Sequence, residues 1–346
     1  MKIKQMCMLV LLWLGVIPAM QAQTFDKLWK EVEQAEKKSL PQTVIKLTGE
    51  IYQKGEMEKN SPQMLKAYMW RMKYRDMLTP DSLYTGLQEL KQWAKQADKP
   101  MDRAILHSLI AGMYADYAAN NQWQLRQRTE IAGEAPSADM REWTANMFVE
   151  KVRTNVKEAM ADSVLLLNTS SRTYIPFVEL GETSEYYHHD MYHLLASRSI
   201  EALQRIQGLD RTTPIEAYSE ETSSEKESLV KQDIERIYDQ MLTSYKAKGD
   251  KEGCLLTSLN YLNWKHGTSK SFREPFRVKK GGTYMTFDPY ETGLDALKTE
   301  YKSLDLCAEV YLAQANNAIG KEQETVALQL CDRRSVCIPV TAESMH

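Results

Sequence analysis

Cysteine is scarce in this chain: five residues in 346, at positions 7, 254, 307, 331 and 337. That usage excludes the disulfide framework on which small secreted folds depend. At most one late pair among Cys254, Cys307, Cys331 and Cys337 is open to oxidation. Glycine-rich phosphate loops are also missing, since Gly249 and Gly253 lie in a polar turn. No Gly-x-Ser-x-Gly elbow occurs, so the usual serine-hydrolase signature is absent. Basic charge is not in excess. Net charge is -3, which removes the electrostatic case for a nucleic-acid partner. Beyond the first residues no run approaches the roughly 20 apolar residues needed to span a bilayer.

The first residues are the exception to that polar character. Lys2 and Lys4 precede an apolar run from Met6 to Ile17, followed by the helix-breaking Pro18 and the small residues Ala19 and Ala22. This layout is that of a secretory signal (residues 1–22), cleaved most simply after Ala22. Cys7 opens the apolar run, where a lipid-anchor cysteine would not be placed. The expectation is an exported chain in the periplasm or on the outer surface of a Gram-negative cell. No membrane span would remain after signal removal.

From Gln23 onward the pattern is helix, short turn, helix. Phe25, Leu28, Trp29 and Val32 recur at helical steps behind a Thr24 cap. After Ser39-Leu40-Pro41 the stripe restarts as Val44, Leu47, Ile51 and Tyr52, and after Asn60-Ser61-Pro62 as Leu65, Tyr68, Met69 and Met72. Thr79-Pro80-Asp81 opens a helix through Leu83, Leu87, Leu90 and Trp93. A longer helix is expected over 102–127, with Ile105, Leu109, Met113 and Tyr117 on one side and Ala111, Ala115, Ala118 and Ala119 as small packing residues. Ser137 is expected to cap the next helix, which carries Met140, Trp143, Met147, Val152 and Val156. Residues 234–265 read as a helix pair turning at 245–250. The helical pattern resumes over 294–330, with 318–330 as its last helix. The fold class is all-α. Segments of about 15 residues, paired about every 35 to 40, imply an α-solenoid of tetratricopeptide-like repeats. One insertion near 267–290, around Lys279-Lys280-Gly281-Gly282, interrupts it as a hairpin-like excursion or an ordered loop. The Lys-Lys-Gly-Gly string itself reads as a plain turn. The expected plan is helical repeats over 23–210, a polar Ser/Glu-rich loop over 211–230, helical repeats over 231–332, and an aperiodic tail over 333–346.

The chemically richest stretch is Tyr186-Tyr187-His188-His189-Asp190-Met191-Tyr192-His193, with three of the six histidines. His189 and His193 are four apart, so on a helix they would share a face and meet a metal. His-Asp-x-x-His is one methylene from the zincin motif, in which a glutamate is the general base. Asp is shorter than that chemistry requires, and no third ligand is evident. The plainer reading is a helix start, with Ser184 as cap and Asp190 near the positive end. The expectation is therefore no cofactor, no catalytic residue and no metal, with His189, Asp190 and His193 as the residues a metal-dependent hydrolase would use. Candidate binding residues are Tyr186, Tyr187, His188 and Trp123, whether for a protein or, as the other alternative, a surface glycan.

Several segments carry a family resemblance. Thr24-Phe25-Asp26-Lys27-Leu28-Trp29-Lys30-Glu31-Val32-Glu33, Ser61-Pro62-Gln63-Met64-Leu65-Lys66-Ala67, Ala118-Ala119-Asn120-Asn121-Gln122-Trp123, Ser171-Arg172-Thr173-Tyr174-Ile175-Pro176-Phe177 and His188-His189-Asp190 resemble the N-terminal helical region of bacterial alpha-2-macroglobulin-like proteins. The resemblance runs to about Asp332. It implies a helical module that, in the family, precedes macroglobulin β-sandwich domains which trap proteases, some through a Cys–Gln thioester. No Cys-x-Glu-Gln is present, and Lys321-Glu322-Gln323 lacks the cysteine, so inhibition does not transfer. One base lost after the Asp332 codon would account for the aperiodic tail. Restoring it, with permitted codons, lets the sequence read Glu-Ala-Ile-Arg-Leu-Tyr-Pro-Gly-Tyr-Ser-Arg-Ile-Asn-Ala-Leu and continue the helix. The expected function is a non-catalytic scaffold docking a protein partner or the missing remainder of its own chain.

Overall fold

The structure is a computed structural model that describes residues 24–79, 82–128, 137, 139–210, 228–280 and 283–337. The expected signal segment, most of the polar loop and the end of the tail lie outside these residues. Among the described residues the fold is all-α apart from one two-stranded hairpin. Among the described residues no helix is long and apolar enough to cross a membrane. The chain divides into two compact units, one of residues 1–89 with 173–179, the other of 90–172 with 180–346.

The first unit holds α1 (Phe25–Lys37), α2 (Pro41–Met57), α3 (Ser61–Leu78) and the start of α4 (Ser82–Gln96). Thr24 caps α1 through its hydroxyl, as expected. Leu28, Val32, Ala35, Val44, Ile51 and Ala67 form the core. Trp29 and Trp70 meet edge to face at 6.0 Å beside it. Both indoles keep partners, Trp29 Nε1 donating to Gln63 and Trp70 Nε1 to Glu36. Large rings therefore shield this small core with both indole donors paired.

The second unit continues from α4 with α5 (Pro100–Asn120), α6 (Gln122–Leu125), α7 (Ala145–Ala159), α8 (Ser163–Asn168), α9 (Met191–Ile206), α10 (Leu229–Lys248), α11 (Lys251–Thr268), α12 (Lys270–Arg273), α13 (Pro289–Glu300), α14 (Cys307–Gly320) and α15 (Glu324–Cys337). β1 (Phe276–Lys280) and β2 (Thr283–Phe287) form the antiparallel hairpin. Helix α5 packs on both α7 and α9, so it buries a face wider than the stripe the sequence suggests. Of Ile105, Leu109, Met113 and Tyr117 only Ile105 is buried. Leu106, Ile110, Ala111, Tyr114, Ala115 and Ala118 complete the inner face. The expected helix over 102–127 is interrupted at Asn121, whose amide reaches back to Tyr117 O. Ser137 caps no helix. Its hydroxyl takes the Asp139 N–H ahead of a short 3-10 turn, and α7 begins after Thr144. Cys254 and Cys307 are buried and Cys331 is exposed.

One turn recurs at four helix ends. Ser39, Lys59, Gly249 and Glu322 have φ of 53°, 53°, 70° and 60°. In each case the next amide bonds to the carbonyl five residues earlier: Leu40 to Ala35, Asn60 to Gly55, Asp250 to Tyr245, Gln323 to Ala318. This is the left-handed helix stop that satisfies orphan carbonyls. It narrows the expected 245–250 turn to Gly249 alone, with Tyr245 inside α10. It also splits the expected 318–330 helix at Glu322, and α15 runs on to Cys337. Only Gly249 of the four lacks a side chain to strain. A Cβ there would meet nothing within 4 Å, so Gly249→Ala is expected to cost about 1 kcal/mol through the backbone alone. Lys59→Gly should change stability in the opposite direction. Thermal melts of the two variants check the pair, and equal shifts of the same sign would refute it.

Candidate functional site

The His-Asp segment enters α9 as an extended strand-like lead. Ser170 and Asp190 form an isolated antiparallel bridge, Ser171 N–H donates to His189 O (2.8 Å), and Met191 N–H donates to Thr169 O (2.9 Å). Helix α9 therefore starts after Asp190, which is its N-cap: Oδ1 accepts the His193 N–H at 2.8 Å. Ser184, the expected cap, lies instead in a separate 3-10 turn, Glu182–Tyr186. His189 sits before the helix and His193 inside its first turn, so the one-face pairing that a metal site needs does not form. Cap formation wins because the aspartate satisfies the free amides at the helix start.

Asp190 and His193, the acid and one of the bases of this cluster, are already engaged. Asp190, 7% exposed, turns its other oxygen to Lys248 Nζ at 2.5 Å, tying the start of α9 to the end of α10. His193 Nδ1 meets the Tyr245 hydroxyl, and its ring lies flat on Tyr187 at 4.0 Å. Burial lowers the His193 pKa to about 4, against the opposing pull of Asp190 and Asp250. It is thus neutral at pH 7. Burial also pushes the Tyr245 phenol above its ordinary range, so the phenol keeps its proton and is assigned as donor to Nδ1, leaving the imidazole proton on Nε2. Asp250 caps α11, taking the Gly253 N–H at 2.8 Å. A Cβ on Gly253 would stand 2.4 Å from the Asp250 carboxylate, hence the glycine. The second Asp250 oxygen is buried without a hydrogen bond, and the nearest cation-forming group is His188 Nε2 at 3.8 Å. Among the described residues no three His, Cys, Asp or Glu side chains converge as a metal site. The arrangement clamps α9, α10 and α11 together.

The four binding candidates do not gather. Tyr192 and Tyr187 are drawn inward, the first buried and the second half-buried against His193. Tyr186 is half-buried, and a hydrogen bond to Glu185 raises its phenol pKa. His188 is exposed and faces Asp250. Trp123 is 73% exposed and stands away from the cavities of the α9–α14 region.

Beside the clamp lies a feature that no sequence motif announces. A cavity of about 620 Å³ opens between α9, α10 and α11, lined among others by Gln204, Gln207, Asn260 and Asn263. A second of about 670 Å³ lies against α11, α13 and α14 and shares Asn260 and Asn263, adding Asn316 and Asn317. The two cavities, which share Asn260 and Asn263 of α11, are together termed the carboxamide furrow. Aromatic rings pin several of these carboxamides. Trp264 Nε1 donates to Gln207 Oε1 (3.0 Å), and the Tyr290 hydroxyl donates to Asn263 Oδ1 (2.7 Å). Both amides thus keep their NH₂ groups for a ligand. Asn260 and Asn316 have no side-chain partner among the described residues. The rings themselves are occupied: Trp264 and Tyr238 are buried and stack with Tyr261, while Tyr290 lies flat on His266 at 4.0 Å. The available signal was carboxamides three apart, at 204 and 207 and at 260 and 263, on helices where asparagine is a poor former. No protein-family model, curated protein or solved structure matches the chain.

Proposed function

We propose that this chain is an exported, non-catalytic helical scaffold that docks a partner protein as an extended segment along the carboxamide furrow. The supporting observation is the furrow's lining. A carboxamide offers one acceptor and two donors, the complement of a peptide bond. Residues 260 and 263 of one helix stand roughly 5–6 Å apart at Cβ, close to the roughly 6.6 Å between alternate residues of an extended chain. A glycan reading is less well supported, because sugar binding uses open aromatic faces and those rings are stacked on one another. The hydrolase alternative is disfavoured by the engagement of Asp190 with Lys248 and of His193 with Tyr245. The resemblance to the helical front of alpha-2-macroglobulin-like, protease-inhibitor proteins is consistent with a recognition role, and the tetratricopeptide-like pairing of helices belongs to the same proposal.

Two measurements on the purified chain test this. Anisotropy of a panel of labelled random-sequence peptides should detect binders whose affinity falls about tenfold in Asn260→Ala/Asn263→Ala, as loss of paired polar contacts implies. Unchanged affinity defeats the furrow reading. Metal analysis should find no stoichiometric zinc. Zinc that is lost in His189→Ala/His193→Ala would favour the hydrolase instead.

A further inference from the structure

The β1–β2 hairpin stands apart from the helical body's packing. Among the described residues, each strand's only extensive partner is the other strand. Its register pairs Phe276 with Phe287 and Val278 with Met285. Side chains alternate along a strand, so these four share one face. All four are exposed, at 46%, 39%, 40% and 58% in that order. Phe276 and Phe287 touch each other at 5.1 Å and screen little else. On the opposite face lie Arg277 and Lys279 with Tyr284 and Thr286, and Lys279 Nζ stands 5.8 Å over the Tyr284 ring. Residues 276–287 hold Arg277, Lys279 and Lys280 and no acidic residue, within a chain whose net charge is -3.

A two-stranded hairpin is marginal in water by itself, and its outer edges carry backbone N–H and C=O groups that invite another strand. Among the described residues, no helix or loop supplies those edge partners. We propose that the hairpin is a docking element that accepts one extended strand of a partner protein, of alternating apolar and acidic side chains, at an open edge. The added strand would pair its main chain with the edge. Its apolar residues would extend the Phe276, Val278, Met285 and Phe287 face, and its acidic residues would lie with Arg277 and Lys279. Charge selects this occupant. A second copy of the hairpin would bring like charges together. A lipid surface would accept the apolar face but leave the edge amides and carbonyls without partners in hydrocarbon, where a strand satisfies them.

The test uses the full chain and a labelled eight-residue peptide alternating valine and glutamate. Matched peptides carry lysine for glutamate, or the same residues in blocks. The alternating acidic peptide should bind at least tenfold tighter than either, more weakly as salt rises. Arg277→Gln/Lys279→Gln and, separately, Val278→Asp/Met285→Asp should each reduce that binding at least fivefold. No described side chain of the hairpin is buried, so both variants should keep the parent far-ultraviolet spectrum. Equal binding of the three peptides, binding unchanged in either double variant, or no binding overturns the proposal. Binding to phosphatidylglycerol vesicles without peptide binding, or hairpin-dependent dimers in sedimentation, does so too, assigning the face to lipid or to a second copy.

Discussion

Phe148→Ala is expected to remove about 3–5 kcal/mol of stability, the cost of deleting a fully enclosed aromatic ring. Phe148 is 0% exposed. It stacks on Tyr117 at 5.3 Å and lies 5.3 Å from Trp143 and 6.3 Å from Tyr114. These rings come from α5, α7 and the turn before α7, so the cavity would open where three segments meet. The backbone is held there too: the Trp143 indole donates to Ser137 O and Arg128 donates to Trp143 O. Walls fixed in this way collapse poorly around a void, which places the cost in the upper part of that range. Phe148→Leu, which keeps most of the volume, should cost less than about 1.5 kcal/mol. Urea unfolding followed by near-ultraviolet circular dichroism reads both, and a loss below about 1 kcal/mol for the alanine variant would contradict this core assignment.

Acid should loosen the second unit as pH falls from about 6.5 toward 4. His193 takes its proton near pH 4 in the folded chain, against an ordinary value of 6.5. Once unfolded, it would be protonated below about 6.5. The folded state therefore binds fewer protons between those values, and stability falls as pH drops through that window. The full loss is about 3 kcal/mol, reached near pH 4, since each pH unit crossed in the window removes about 1.4 kcal/mol. His266, lowered chiefly by burial, acts in the same direction. Asp139, Asp288 and Asp295 are held below the usual carboxylate value by their bonds to Arg141, Lys321 and Lys298. Their contributions are lost only at lower pH, so the histidine window is separate. His193→Gln retains an acceptor for the Tyr245 hydroxyl and cannot be protonated there. Its stability between pH 6.5 and 5 should therefore be markedly flatter than the parent's. Parallel curves for the two proteins would rule out His193 as the acid-sensitive group.

The helices were legible because their apolar residues recur at helical steps and their ends carry recognisable chemistry. Thr24, Pro41 and the Asn60-Ser61-Pro62 string all begin helices near where their types require. Hairpin placement was legible too, from β-rich residues flanking Lys279-Lys280-Gly281-Gly282. Ser39, Lys59 and Glu322 were not legible as left-handed stops. Glycine announces that conformation, whereas these residues adopt it at a cost the neighbouring helices offset. Helix α5 misled for another reason: periodicity marks one apolar stripe, and two partners on different sides widen it.

At the candidate site, spacing identified the right segment and misassigned its geometry. His189 and His193 are four residues apart in any conformation, but they share a face only if both are helical. Asp190 ends that possibility by capping α9. The furrow was missed because Gln204, Gln207, Asn260, Asn263 and Asn316 are ordinary polar residues until three helices bring them to one rim.

The order of residues alone determined that this chain forms amphipathic helices with a single β excursion, because helix formation, capping and turn chemistry act over a few neighbours. Whether His193 is a ligand or a buried, neutral clamp was decided only in three dimensions, by Tyr187 and by Tyr245, which lies 52 residues away. The same holds for the asparagines of α11, which line two cavities only because α10 and α13 pack on α11 and residues of α9 and α14 form the far walls. Burial and convergence depend on long-range packing, and no local pattern encodes which distant side chain will occupy the other side.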